Sequence, residues 1–156
     1  MKKFITLTLA VLMLLSFTAC GKDDGEDTDT APVVDATAEE IANAILSKVT
    51  FTDELSEIDA EVASLLYSVE DGVKVIAYCG SGALAEELVI VEDTKASVKT
   101  AFEAYRDKQI GIFEKYNMEE VEKLENAYIE VFGDYTVYCV SPDTDDVKSA
   151  LSSLTK

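Results

Sequence analysis

Apolar positions recur along this chain with two periods, three-to-four and two, and the alternation between them sets out the fold. Thr37-Ala38-Glu39-Glu40 has the form of a capping box, in which the Thr37 hydroxyl accepts from the Glu40 amide and Glu40 reaches back. Ile41, Ala44, Ile45 and Val49 follow at helical spacing and predict a helix from Ala38 to about Lys48. Phe51 to Ile58 is acidic and irregular. Glu61 to Tyr67 (EVASLLY) predicts a short helix with Val62, Leu65 and Leu66 turned inward. Val73 to Cys79 (VKVIAYC) and Leu88 to Val91 (LVIV) are β-branched and aromatic runs. They predict a hairpin whose long loop, broken by Gly80-Ser81-Gly82, carries Glu86 and Glu87.

Thr94 is placed to cap a long helix over about Lys95 to Tyr116. Its stripe is Val98, Phe102, Tyr105, Gln109, Ile112 and Tyr116, alternately four and three apart. Asn117 with Glu120 resembles a second capping arrangement and opens a short helix through Leu124. Ala127 to Phe132 and Tyr135 to Val140 predict two strands. Gly133-Asp134 between them, with glycine first, is the signature of a type II′ turn. Pro142 ends that hairpin, Asp143 can cap, and Asp145 and Asp146 suit the first turn of a last helix. Val147, Ala150, Leu151 and Leu154 are its inner face. Two hairpins with helices between them give an α+β domain over 35–156: one antiparallel sheet of about four strands, covered on one face by helices.

The front of the chain has a different pattern. Met1-Lys2-Lys3 is a short positive start, and Phe4 to Phe17 is an apolar run too short to span a bilayer comfortably. Small residues at Thr18 and Ala19 then precede Cys20. Residues 1–19 therefore read as a lipoprotein signal peptide and Cys20 as the lipid attachment point. The position three before the cysteine is usually an aliphatic residue, and here it is Phe17. A diacylglyceryl thioether brings two acyl chains, enough for stable anchoring. Gly21 to Val34 (GKDDGEDTDTAPVV) has no apolar period and reads as a disordered acidic tether, with a reach of at most about 50 Å.

Charge narrows the partners. The chain has 31 acidic and 13 basic side chains, and since the signal holds Lys2 and Lys3 and no acid, residues 20–156 carry a net −20. Nucleic acid is excluded as a partner, because cationic residues must replace counterions on phosphates. A membrane lipid held through Cys20 and an unknown protein or small-molecule ligand remain. There is no histidine, which excludes Ser-His-Asp and Cys-His catalysis and His-ligated zinc within this chain. No cofactor is implied, and the acids of the tether lack the D-x-D-x-D-G pattern of a calcium loop.

Three groups of residues are candidates for chemistry. Arg106 is the single arginine, beside Gln109 and Tyr116 on the long helix. It can grip a ligand carboxylate or phosphate, or tie the Ser81–Glu87 loop to the helix through Glu86 or Glu87. Glu86 and Glu87 are an adjacent pair of the type used in glycoside hydrolysis, in a chain where acids abound. Cys79 and Cys139 end strands and point inward with Val75 and Ala77 and with Val137. Neighbouring strands would let them form a disulfide; the alternative is two small buried apolar thiols.

Tyr78 with Ser81-Gly82-Ala83, then Ala85-Glu86-Glu87, then Arg106, Gln109 and Tyr116, then Leu124-Glu125-Asn126-Ala127 and Gly133-Asp134-Tyr135, resemble an uncharacterised family. It is domain of unknown function 4358, found in lipoproteins of low-GC Gram-positive bacteria. The resemblance covers most of Ile45 to Leu151. It implies kinship of fold and an extracytoplasmic, membrane-anchored location, and nothing about chemistry. The expected function is thus a lipid-anchored binding or interaction module. The alternatives are an accessory component of an envelope complex and a carboxylate-dependent hydrolase.

Overall fold

The computed structural model describes residues 34–156. The signal peptide, Cys20 and the tether up to residue 33 lie outside the described residues. The elements in order are α1 (Ala38–Lys48), β1 (Ser56–Glu57), α2 (Ala60–Tyr67), β2 (Val75–Cys79), β3 (Glu87–Val91), α3 (Ala96–Phe113), α4 (Met118–Glu125), β4 (Tyr128–Phe132), β5 (Tyr135–Val140) and α5 (Thr144–Ser152). The α+β class and both hairpins match the expectation. The sheet has five strands rather than four, all antiparallel, in the order β1-β2-β3-β5-β4. The added strand is the two-residue β1, too short to show a period in the sequence.

Helices cover both faces of this sheet, not one. α2, α3 and α4 pack on one side, with Val75, Ala77, Val89, Val91, Tyr138 and Val140 beneath them. α1 and α5 pack on the other, over Leu88, Ile90, Val137 and Cys139. The central strand β3 is therefore buried along its whole length. This is why Leu88–Val91 reads as an unbroken apolar run instead of an alternating one. At a fully covered strand, "inward" has two directions. Cys79 is in register with Glu87 and through it with Val140, while Cys139 is in register with Leu88 and Tyr78. The two cysteines sit on opposite faces, with β3 between their strands. Both are free, and the disulfide is ruled out by the fold.

The local signals held where polar groups decide them. Thr37 and Glu40 form the capping box, with hydrogen bonds of 2.8 and 3.2 Å. Gly133 has φ of +59° and Asp134 does not have a positive φ, as a type II′ turn requires. Asp143 caps α5 by accepting from the Asp145 amide. Two caps differ from the expectation. The N-cap of α3 is Lys95, and Asp93 rather than Thr94 accepts its amide at 2.9 Å. Asn117 precedes α4 without a side-chain cap bond, and the Glu120 carboxylate, committed to the Ala85 amide and Lys123, does not reach back to it.

α2 forms where expected and presents the other face. Val62, Leu65 and Leu66 are 54, 84 and 42% exposed, while Ala63 and Tyr67 are buried. Eight residues that are apolar nearly all round do not fix a helix's rotation. Asp59, accepting from the Glu61 and Val62 amides, starts the helix. A polar contact of Tyr67, described below, sets which side turns in.

Candidate functional site

The loop from Gly80 to Glu86 joins β2 to β3 and is tied on two sides. Asp53 accepts from the Ser81 amide at 2.7 Å and from its hydroxyl at 2.6 Å. Those hydrogen bonds hold its carboxyl below the usual range. Gly80 leaves room for this carboxylate, since a β-carbon there would lie 2.6 Å from Asp53 Oδ2 and displace it. Glu86 is 2% exposed and accepts from the amides of Thr52 at 2.6 Å and Asp53 at 3.0 Å. Its other oxygen takes Lys123 Nζ at 2.7 Å. Lys123 also pairs with Glu120 at 2.9 Å, and Glu120 accepts from the Ala85 amide at 2.8 Å. Burial pushes Glu86 up, but Lys123 and the two amides outweigh it and hold it low. Lys123 is held above its ordinary range by the same two carboxylates, against burial.

Glu87 is the first residue of β3 and turns towards α2 and α3. It is 6% exposed, and three tyrosines from three elements converge on it. Tyr67 at the end of α2 donates to Oε2 at 2.6 Å, Tyr138 of β5 to Oε1 at 2.9 Å, and Tyr105 of α3 to Oε2 at 3.3 Å. The Cys79 thiol lies 3.3 Å from the Tyr67 hydroxyl. The rings pack edge to face, Tyr67 against Tyr105 at 4.8 Å and Tyr105 against Tyr138 at 6.1 Å, and Phe102 stacks on Tyr138 at 5.3 Å. Burial pushes the Glu87 carboxyl up to about 7, the three hydroxyls pulling against it. All three phenols are pushed up, first by burial and then by Glu87, so they remain donors. Cys79 is likewise pushed up by burial, which argues against thiolate chemistry.

Glu87 lies at the floor of a cleft of about 260 Å³ between the loop and α3. Its walls are Tyr105, Gln109, Ile112, Phe113 and Tyr116 on one side and Gly82, Leu84 and Ala85 on the other, with Leu66 at the rim. Of the residues singled out from sequence, Gln109, Tyr116, Glu86, Glu87 and Cys79 meet here. Arg106 does not. Its guanidinium folds onto the neighbouring Asp107, with Nη2 at 2.7 Å, and it neither lines the cleft nor ties the loop. That tie is made by Lys123, whose role the sequence did not disclose. Glu86 and Glu87, adjacent in sequence, bond to disjoint partners, so they do not act as a matched pair of carboxylates. The stripe along α3 also turns near its end: Phe113 is buried, while Ile112 and Tyr116 are open to the cleft and to solvent.

Larger depressions carry less chemistry. One of about 840 Å³ between α4, β4 and α5 is lined by Glu119, Glu122, Glu125, Glu130 and Asp145, all exposed. Among the described residues no group of three or more acidic or thiol side chains is arranged to hold a metal ion.

The position of Glu87 predicts an unusual pH profile. Its folded pKa of about 7 lies above the ordinary value of 4.5. The folded state therefore binds the proton more tightly, and stability falls as pH rises from about 4.5 to 7, by roughly 3 kcal/mol in total. Glu86 has the opposite sign, being lowered, and its stabilisation is lost only as pH drops below 4.5. Urea denaturation from pH 4 to 8 should show maximal stability near pH 5. Glu87→Gln should flatten the decline between pH 5 and 7, and an unaltered slope in that variant would refute the assignment.

A family model described as Domain of unknown function (DUF4358) matches residues 47–141. The match takes in every residue of the Glu87 cluster and of the Glu86–Lys123–Glu120 tie. No curated protein and no solved structure matches the chain.

Proposed function

Since the chain belongs to this family of domains of unknown function, whose description carries no activity, we propose its function from the site: a lipid-anchored extracytoplasmic binding module. The ligand cleft is the one floored by Glu87. The observation that carries this is a buried carboxylate, satisfied by three tyrosines, at the base of an aromatic-walled cleft whose loop is fixed by a buried ion pair. Convergent polar groups in an otherwise apolar concavity are what a small-molecule site requires. The anchor rests on the Thr18-Ala19-Cys20 pattern behind an apolar run and on the resemblance to lipoproteins of low-GC Gram-positive bacteria. Among the described residues no helix is long and apolar enough to cross a membrane.

A second reading, an accessory component of an envelope complex, is favoured by the exposed apolar face of α2 formed by Val62, Leu65 and Leu66. A carboxylate hydrolase is not favoured, because Glu86 is spent on Lys123 and two amides.

The test uses the full chain released from its own membrane. Native mass spectrometry should find a bound small molecule on the wild type. Ile112→Trp, which adds bulk at the cleft's exposed wall, should lose it without a change in melting temperature. Cys20→Ser should move the protein from the membrane to the soluble fraction. An unliganded wild type, or equal occupancy in Ile112→Trp, would sink the cleft as the binding site.

A further inference from the structure

The chemistry of the cleft selects among ligands. Among the described residues no cationic side chain lines it. Lys123 is consumed by Glu86 and Glu120, and Arg106 is folded onto Asp107. A ligand anion would find no counter-charge there and would meet the field of a chain of net charge −18. The cleft offers instead one carboxylate and several aromatic rings. An ionised carboxylate has about four acceptor places, and the tyrosines fill three of them at Glu87. The remaining place is on Oε1, beside the Tyr138 hydroxyl, and Glu87 is among the residues that line the cleft. Above it stand Tyr105, Phe113 and Tyr116, the last two 5.1 Å apart at an interplanar angle of 38°. Aromatic faces beside a desolvated carboxylate are the surroundings in which an organic ammonium is held, by ring quadrupole and by charge. A volume of about 260 Å³ is that of roughly nine waters of liquid. It suits a compact ion.

We propose that the cleft binds a small organic monocation, its ammonium group against the Glu87 carboxylate and its apolar body against Tyr105, Phe113 and Tyr116. This rests on the cleft being the ligand site and adds the class of ligand. The buried Glu86–Lys123 pair then has a defined part. It neutralises the second carboxylate of the cleft, so that one acceptor and not two faces the ligand, and it holds the loop as a fixed wall.

Three probes of one shape and different charge test this: benzylammonium, benzyl alcohol and benzoate. Each is titrated into the full chain in a nonionic detergent, with binding read by calorimetry and its place by ring shifts of Tyr105, Phe113 and Tyr116 in NMR spectra. The cation should bind at least tenfold more tightly than the alcohol, and benzoate most weakly. Tyr116→Ala, at an exposed wall position where folding is not at stake, should weaken the cation three- to tenfold. Glu87→Gln should weaken it at least tenfold where circular dichroism shows the fold retained. Cation binding that is unchanged by Tyr116→Ala and by Ile112→Trp would be general attraction to an acidic surface, and would overturn the proposal. Cleft shifts with the alcohol or benzoate at equal or higher affinity would overturn the cation but leave the cleft as a binding site. No cleft shifts with any probe would overturn the cation, and the adduct measurement above would then decide whether the cleft binds at all.

Discussion

Glu87→Ala should destabilise the protein by about 3–5 kcal/mol at pH 5, the range expected when buried hydroxyls are left without an acceptor. Three tyrosyl hydroxyls lose their acceptor at once. Those of Tyr67 and Tyr138 belong to side chains 1 and 0% exposed and have no water to turn to. Each orphaned hydroxyl costs about 1–3 kcal/mol. Tyr105 is half-buried beside the cleft and contributes less. The measurement has a second arm. Wild type loses roughly 3 kcal/mol between pH 5 and 8 through the raised pKa of Glu87, and the alanine variant has no such group to lose. The same substitution should therefore cost only about 1 kcal/mol at pH 8. Urea midpoints at the two pH values read both quantities. A destabilisation independent of pH would mean that Glu87 acts by filling space rather than by its protonation.

The residues that define the site divide by whether their signal is local. The capping box at Thr37, the Gly133-Asp134 turn and the Asp143 cap are decided within four residues of chain, and each was legible. So was the sheet's class, because β-branched runs between turn residues leave few alternatives. The rotation of α2 was not legible, since it is set by Tyr67 reaching Glu87 across twenty residues. The same holds for Lys123, the one lysine of an acidic helix and unremarkable until the fold brings Glu86 against it from 37 residues away. Arg106 drew notice for its rarity, and rarity says nothing about what lies opposite a side chain. One trace of the site was present in the sequence. Glu86-Glu87 runs straight into Leu88–Val91, a strand apolar enough to be covered on both faces, so the last acid before it had to be buried or to end the sheet. Asking what could satisfy a buried carboxylate in a chain without histidine would have pointed to its seven tyrosines.

Lys123→Ala should destabilise the domain by about 3–5 kcal/mol near pH 7. Most other ion pairs here join exposed side chains, such as Lys148 with Asp145, where solvent screens the attraction. Lys123 differs because the side chains it neutralises, Glu86 and Glu120, are 0 and 3% exposed. Without it two carboxylates share a dry site, and their amide donors, Thr52, Asp53 and Ala85, cannot cancel two charges. Either a proton enters or the loop leaves. The first outcome fixes the sign of the pH dependence. In wild type Glu86 is lowered and stabilises only above about 4.5. In the variant the pair must take up a proton, so stability should rise more steeply than in the wild type, where Glu87 alone gives a rise, as pH falls from 7 towards 5. Adding Glu120→Gln, which removes one charge and keeps an oxygen for the Ala85 amide, should recover part of the loss at pH 7. Hydrogen exchange adds the structural readout: the Thr52, Asp53 and Ala85 amides should lose protection in Lys123→Ala and regain it in the double variant. Unchanged protection with a full loss of stability would place the role of Lys123 outside the loop. Retained stability at pH 7 would mean that water already reaches Glu86 and that the cleft wall is not held by this pair.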